Sequence, residues 1–330
     1  MLTPAVITVH PGQFPEVQRA ELLGSLRSRH INHKFHYESV RQTQKWLTLH
    51  RAYSPSYQDA DCEHIYREAF SEVTGVIKAG PLQLVSLCCG DGLKEQRLIR
   101  ELVRHGSRPS YVPSDSSVPM VLMAARAASP MVSRTECRSL VCDFESANDL
   151  SDILKSLSGP ADLRRLVSFF GTIHNYPPLM AAARLSSILR RNDLLLVGAN
   201  LAPEHDYIKA VQRIAKQYDN GLTHDWLCTF LFDLGITHKD GKAETVVERC
   251  PYRSGLLRIA IYFRFSRTCA FNVGSERFSF RQGQRIRLFF SYRYTPMRLE
   301  QCFRGQRISV LREWISSSEE EGLFLCRKYG

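Results

Sequence analysis

No stretch of eighteen apolar residues occurs in the 330-residue chain, so no membrane span is expected. The opening residues, Met1-Leu-Thr-Pro-Ala-Val-Ile-Thr-Val9, lack a basic start and a long apolar core, which argues against a signal peptide. Ten cysteines are present but none has C-x-x-C spacing, and no H-E-x-x-H motif accompanies the eleven histidines. No metal is therefore expected, and the cysteines read as free, mostly buried thiols in a reducing cytoplasm. The G-x-G-x-x-G spacing that suits a dinucleotide pyrophosphate is missing, and no internal repeat is found.

What is present is a globular composition, with 44% hydrophobic and 23% charged residues. The net charge is +11, and +9 of it lies between Pro251 and the C-terminus. Such an excess could mark a nucleic-acid surface. However, the arginines from Arg258 to Arg267 and from Arg281 to Arg287 alternate with apolar residues, as on the solvated side of antiparallel strands. No aromatic RNA-binding motif or lysine-rich arm goes with them, so nucleic acid is not the expected partner.

The most informative stretch is Leu82-Gln-Leu-Val-Ser-Leu-Cys-Cys-Gly-Asp-Gly92. Its apolar run reads as a buried strand that breaks at Gly90 and Gly92 and passes into a helical pattern, Leu93 to Val103. Three further apolar pieces end in Asp115, in Cys142-Asp143-Phe144-Glu145, and in Phe170-Gly171 before Thr-Ile-His-Asn175. Each delivers a polar residue or a glycine to the C-terminal edge of a strand, where open α/β sheets bind ligands. A carboxylate at Asp115 suits the two hydroxyls of an unphosphorylated ribose. Asp143 and Phe144 suit an adenine, one for its exocyclic amine and one as an apolar wall. A nucleoside without a phosphate-binding fingerprint points to S-adenosylmethionine.

Strands and helices alternate from Gly80 to Asn200, which implies a parallel sheet with right-handed crossovers. After two helical stretches, Ala202 to Tyr218 and Thr223 to Leu234, strand-like alternation runs from Glu244 to Leu288. The tail then reads helix, strand, strand, with Ser316 to Glu321 joining the last two as a hairpin. The fold class expected is α/β, a Rossmann-like class I methyltransferase sheet closed by a terminal antiparallel hairpin, with an inserted α+β substrate-binding domain. The expected boundaries are 1–60 for an N-terminal helical part of the substrate-binding domain, 61–200 for the cofactor domain, 201–288 for the insert and 289–330 for completion of the sheet.

Several motifs occur in an order and spacing that resemble one family. They are Lys34-Phe-His-Tyr37-Glu38, Tyr53-Ser-Pro-Ser56, the glycine turn with Lys94, Val112-Pro-Ser-Asp115, Cys142-Asp-Phe-Glu145, Phe170-Gly-Thr-Ile-His-Asn175, Gln217-Tyr-Asp219 and Phe290-Ser-Tyr-Arg-Tyr-Thr-Pro296. From about Lys34 to the C-terminus the chain resembles the ergothioneine-pathway histidine Nα-methyltransferases and their amino-acid N-methylating relatives. The resemblance implies cofactor contacts from Cys88, Gly90, Lys94, Asp115, Asp143 and Phe144, with S-adenosylhomocysteine as the product. The family has glycine where Cys88 stands, so the new side chain would crowd a close backbone contact.

On the substrate side the resemblance implies that Asn175 and Tyr218 hold the amino and carboxylate ends, with Tyr37 and Ser291 lining the pocket. Two positions depart from the family. A tyrosine and a glutamate that recognise imidazole correspond here to Ser54 and Phe289. Without the glutamate an imidazole N–H would be left unpaired against Phe289, a cost of roughly 1–3 kcal/mol. The expected substrate is therefore an L-amino acid, or a close derivative, with an apolar or aromatic side chain. Histidine itself is the alternative. Tyr37 and Asn175 are the candidate catalytic residues, orienting the amine lone pair without a strong general base. His174 could take a proton, though a histidine in such a turn more often caps a helix. A basic RNA- or protein-directed methyltransferase-like module is the reading from another class; it lacks the Asn/Asp-Pro-Pro-Tyr motif of base methylation, since Asn175-Tyr-Pro-Pro178 has a different order. The expected protein is a cytoplasmic monomer acting on a small molecule.

Overall fold

The computed structural model describes residues 5–158, 163–251 and 254–329, with only the backbone described at Ser56 and Tyr57. The strands in chain order are β1 (Ile7–Val9), β2 (Gly80–Leu87), β3 (Ser107–Asp115), β4 (Ser139–Val141), β5 (Arg164–Phe170), β6 (Leu194–Asn200), β7 (Gly241–Arg249), β8 (Leu257–Phe265), β9 (Cys269–Val273), β10 (Glu276–Phe280), β11 (Arg285–Arg293), β12 (Ile308–Ile315) and β13 (Glu321–Lys328). They divide between two compact units. The first takes the described residues of Met1–Gln13, Asp59–Leu201 and Tyr294–Gly330, and the second takes Phe14–Gln58 and Ala202–Arg293.

The first unit is built on an eight-stranded sheet in the order β1-β4-β3-β2-β5-β6-β13-β12. The pairs from β1 to β6 are parallel, whereas β13 runs antiparallel to β6 and to β12. Central strands covered on both faces are mostly apolar, and Leu82 to Leu87 is buried along its whole length, its polar Gln83 donating to the Leu157 carbonyl (3.2 Å) and its Ser86 hydroxyl to Glu95 (2.8 Å). The sequence order reverses between β2 and β5, which makes their carboxyl ends the switch point where such sheets leave a crevice. The helix Leu93–Arg104 enters directly from the glycine turn and buries Leu98, Ile99 and Leu102 at helical spacing. Tyr66, Phe70, Tyr111 and Leu325 complete this core.

The second unit packs helices against a three-stranded antiparallel sheet, β11-β8-β7, with β9 and β10 as a separate hairpin. Its helix Val40–Tyr53 starts with a reciprocal capping box between Ser39 and Gln42. The helix Gly221–Asp233 supplies Trp226, Leu227, Phe230 and Leu231 to a core shared with Leu26, Phe35, Ile261 and Phe263. The early segment belongs here because the Ile31 N–H donates to the Arg287 carbonyl (2.9 Å) and the Arg287 N–H donates to the Arg29 carbonyl (2.9 Å).

The units differ from the expected boundaries at both ends. Residues 7–9 pair with β4 as an edge of the large sheet, and residues 289–293 remain on β11, paired with β8. A three-residue strand carries too little periodicity to be recognised, and β11 continues past a bulge that interrupts its alternation. The helix Leu150–Ser156 was not anticipated, for it spans only seven residues. No helix of the described residues is long and apolar enough to cross a membrane.

Candidate functional site

At the end of β2 the backbone turns through three left-handed residues, Cys88 (φ 50°), Gly90 (φ 54°) and Gly92 (φ 72°). Gly92 is obligatory, because a β-carbon there would lie 2.5 Å from the Ala124 α-carbon. Cys88 holds the same left-handed conformation at a cost of roughly 1–2 kcal/mol. Its Sγ lies 3.4 Å from the Tyr176 hydroxyl. Burial, then the nearby Asp115, pushes the Cys88 thiol well up, so it stays protonated.

Asp115 ends β3 beside this turn. Its Oδ2 accepts the Gly90 N–H (3.1 Å) and its Oδ1 accepts the Ser117 N–H (3.0 Å). Burial raises the carboxyl to about 6, against the lowering effect of these backbone donors. Asp143, 3% exposed, is held by the Glu145 N–H on Oδ1 (2.9 Å) and the Ser146 hydroxyl on Oδ2 (2.9 Å). Phe144 packs against Phe169 and Tyr176 at centroid distances of 4.9 and 5.1 Å. Phe144 thus belongs to a group of three rings at the strand ends. Phe169 and Tyr176 escaped the sequence reading because one sits inside an apolar strand and the other lies in a turn just before two prolines.

Lys94 leaves the first turn of the helix after Gly92. Its Nζ lies 4.9 Å from the centre of the Tyr66 ring, and a β-carbon at Gly171 would sit 3.5 Å from it. Among the described residues no acidic side chain pairs with this ammonium. Asn175 closes a short 3₁₀ turn after β5, and its Oδ1 is buried with no hydrogen-bond donor among the described residues. His174 is buried and its Nδ1 accepts the Asn200 N–H (3.3 Å), which ties the turn to β6. Because β2 to β5 are parallel, the turn, Asp115, Asp143 with Phe144, and Asn175 all lie at one edge of the sheet.

The family model for histidine-specific, S-adenosylmethionine-dependent methyltransferases matches residues 19–328. The chain belongs to that family. It is thus an S-adenosylmethionine-dependent methyltransferase, and the α/β fold with its terminal antiparallel hairpin agrees with the fold expected from sequence. No curated protein matches the chain. Among solved structures it is similar to the CcbJ methyltransferase of Streptomyces caelestis, with 11% identity, 80% of this chain and 90% of that one covered, and a TM-score of 0.40. It is also similar to the 1,6-didemethyltoxoflavin-N1-methyltransferase of Burkholderia thailandensis, solved with 1,6-didemethyltoxoflavin and S-adenosylhomocysteine, at 10% identity, 88% and 89% coverage and a TM-score of 0.43.

In the second unit of this methyltransferase, Tyr218, Phe289 and Ser291 come together. Tyr218 is the last residue of the helix Tyr207–Tyr218, with its ring stacked on Phe289 (6.3 Å, 26° between planes) and its hydroxyl 3.5 Å from Ser291 Oγ. Phe289 is 7% exposed and also packs on His33 (4.9 Å) and Trp226 (6.0 Å). Tyr37 joins through Trp226, at 5.4 Å. Ser54 is positioned by a different element, as the C-cap of the helix Val40–Tyr53, its N–H donating to the His50 carbonyl (2.9 Å).

Two neighbours were missed by the sequence reading. The Arg293 guanidinium donates to the Tyr218 hydroxyl. His33 is buried with both ring nitrogens unpartnered among the described residues, and burial lowers its pKa well below the usual histidine value, so it is neutral. The arginine alternation was read as a solvated face, and that holds only in part. Arg264 and Arg285 are exposed, but Arg258 is 8% exposed and paired with Glu248 at 2.8 Å.

Proposed function

We propose that this enzyme methylates the α-amino group of an L-amino acid, or a close derivative, whose side chain is apolar or aromatic. The observation that carries the reading is Phe289. It stands where the resemblance puts the imidazole-recognising glutamate, and it is buried among the rings of His33, Tyr218 and Trp226. Such a surface rewards burial of apolar area, at about 25 cal/mol per Å², and lacks at position 289 the carboxylate that would accept an imidazole N–H.

The residues of the strand-end edge fit the cofactor. Asp115 would take the ribose hydroxyls, Asp143 and Phe144 the adenine, Lys94 the amino-acid carboxylate, and the backbone around Cys88 and Gly90 would lie against it. When bound, S-adenosylmethionine supplies a sulfonium methyl group for transfer to a neutral amine. The protein's own part is to present that amine. Asn175 Oδ1, buried and without a donor among the described residues, accepts an amine N–H and so turns the lone pair outward. Tyr37 supports the same orientation. A weakly polar pocket disfavours the ammonium form, so no strong base is needed.

Histidine is the second reading, and the family's own description favours it. Incubating the full-length enzyme with S-adenosylmethionine and a panel of twenty amino acids, then reading methyl increments by mass spectrometry, separates the two. Phenylalanine, tyrosine or tryptophan should gain methyl groups faster than histidine. Methylation of histidine alone would establish the second reading instead.

A further inference from the structure

Strand register separates the charges of the β11-β8-β7 sheet by face. Arg258, Arg264, Arg285 and Arg287 fall on one side with Lys242, Glu244 and Glu248, since they occupy directly paired positions: Arg258 opposite Glu248, Arg264 opposite Lys242 and Arg285 opposite Arg264. Past the bulge between Arg287 and Phe289, the residues Phe289, Ser291 and Arg293 share the other side, opposite Ile261, Ile259 and Leu257. Arg293 therefore points with the apolar face; Arg249, paired with the same Leu257, shares that side but is exposed. Arg293 is 4% exposed, and its Nε has no hydrogen-bond acceptor among the described residues. Among the described residues the one acceptor its guanidinium finds is the Tyr218 hydroxyl. No carboxylate among the described residues lies within ion-pair distance of it.

A buried guanidinium carries a desolvation penalty that one phenol oxygen and the face of its ring, 5.3 Å from the guanidinium carbon, do not offset. Its planar fork is shaped for two parallel bonds to a carboxylate. We propose that Arg293 binds the α-carboxylate of the substrate, and that the strip Arg293–Ser291–Phe289, bridged throughout by Tyr218, sets the substrate's direction. The carboxylate lies at the Arg293 end and the side chain lies at Phe289. This rests on the amino-acid reading above and adds the group that reads the acid.

The assignment has a chemical consequence. A free α-carboxylate stabilises the ammonium beside it and so keeps the amine protonated. Pairing with Arg293 cancels that effect and lowers the amine's pKa, which raises the fraction of nucleophile near neutral pH.

The test uses L-phenylalanine, L-tryptophan and L-histidine, each beside its decarboxylated amine, with the full-length enzyme and S-adenosylmethionine. Wild type should methylate an acid about 100-fold faster, in kcat/KM, than the matching amine. Arg293→Met should lose about 100-fold on the acid and change within about 3-fold on the amine, while Arg293→Lys keeps part of the preference. The acid limb of the pH profile should move up by about one unit in Arg293→Met. Retained thermal stabilisation by S-adenosylhomocysteine reports that a variant is folded, and the wild-type acid-to-amine ratio needs no variant at all. An acid preference that survives Arg293→Met with an unmoved pH profile would overturn the assignment and leave the amino-acid reading standing. A wild type that binds S-adenosylhomocysteine yet methylates no acid or amine of the three pairs would overturn both.

Discussion

The strand-end edge of the first unit and the β11 strip of the second are made differently. At the edge the carboxylates are held mainly by backbone: Asp115 by the Gly90 and Ser117 N–H groups, Asp143 by the Glu145 N–H with the Ser146 hydroxyl beside it. On the strip the groups are held by other side chains, with Tyr218 touching Phe289, Ser291 and Arg293 in turn. Backbone donors do not change when a residue is substituted, whereas a ring or a guanidinium does. The edge should therefore tolerate little functional change, and the strip should allow the substrate to be exchanged one residue at a time.

Breaking the edge should give the largest effect. Asp115→Asn should weaken S-adenosylhomocysteine binding about 100-fold, since each hydrogen bond to a charged group contributes roughly 1.5–3 kcal/mol. Calorimetry measures it, and the ligand's thermal stabilisation should shrink in step. The same variant sharpens the electrostatic account. Asp115 has its pKa raised in the fold from 3.8 to about 6, so its ionised form costs stability, a cost that builds between those values and persists above them. Asparagine keeps an acceptor for one of the two backbone N–H groups and turns an amide donor on the other, so ligand-free Asp115→Asn should lose about 1–3 kcal/mol at pH 7, and its deficit against wild type should grow as the pH falls from about 6 towards 4. A deficit that stays constant across that range would contradict the raised pKa.

The strip should give the next effect. Phe289→Glu should shift the ratio of kcat/KM for histidine over phenylalanine by roughly 10-fold or more in histidine's favour. A carboxylate among these rings is costly unless paired, so the free variant should lose about 2 kcal/mol of stability and recover part of it with histidine present. An unchanged ratio in competition assays would show that Phe289 does not face the substrate.

The smallest effect belongs to Cys88→Gly. Relief of a left-handed non-glycine residue gains about 1 kcal/mol, partly offset by glycine's extra freedom in the unfolded chain. A rise in Tm of about 2 °C, with S-adenosylhomocysteine affinity within about 3-fold of wild type, is the expected outcome. A much tighter affinity would mean that the thiol obstructs the cofactor.

Much of the edge was legible in the chain because each part of it is local. The apolar run Leu82 to Leu87 ends in glycines that only a turn requires, and Asp115 and Asp143 follow apolar pieces at the same relative place. The alternation of strands and helices then implies a parallel sheet, and parallelism puts those ends on one side. The edge strand β1 and the helix Leu150–Ser156 were not legible, being too short to show a period. Tyr176 was hidden because its partners, Cys88 and Phe144, are distant in sequence.

The sequence by itself determined the class of fold, the family and the chemical type of the residues at the strand ends, because hydrophobic period and turn chemistry act over a few neighbouring residues. It also marked Phe289 as the position proposed to set specificity. Only the tertiary structure decided which face of β11 each residue occupies. The bulge after Arg287 resets the alternation there, and a slip of one residue exchanges the two faces of a strand. That reset is why Arg293, one arginine among many in a basic segment, is buried beside Tyr218 and Ser291, while Arg285 pairs with Glu244 on the exposed side.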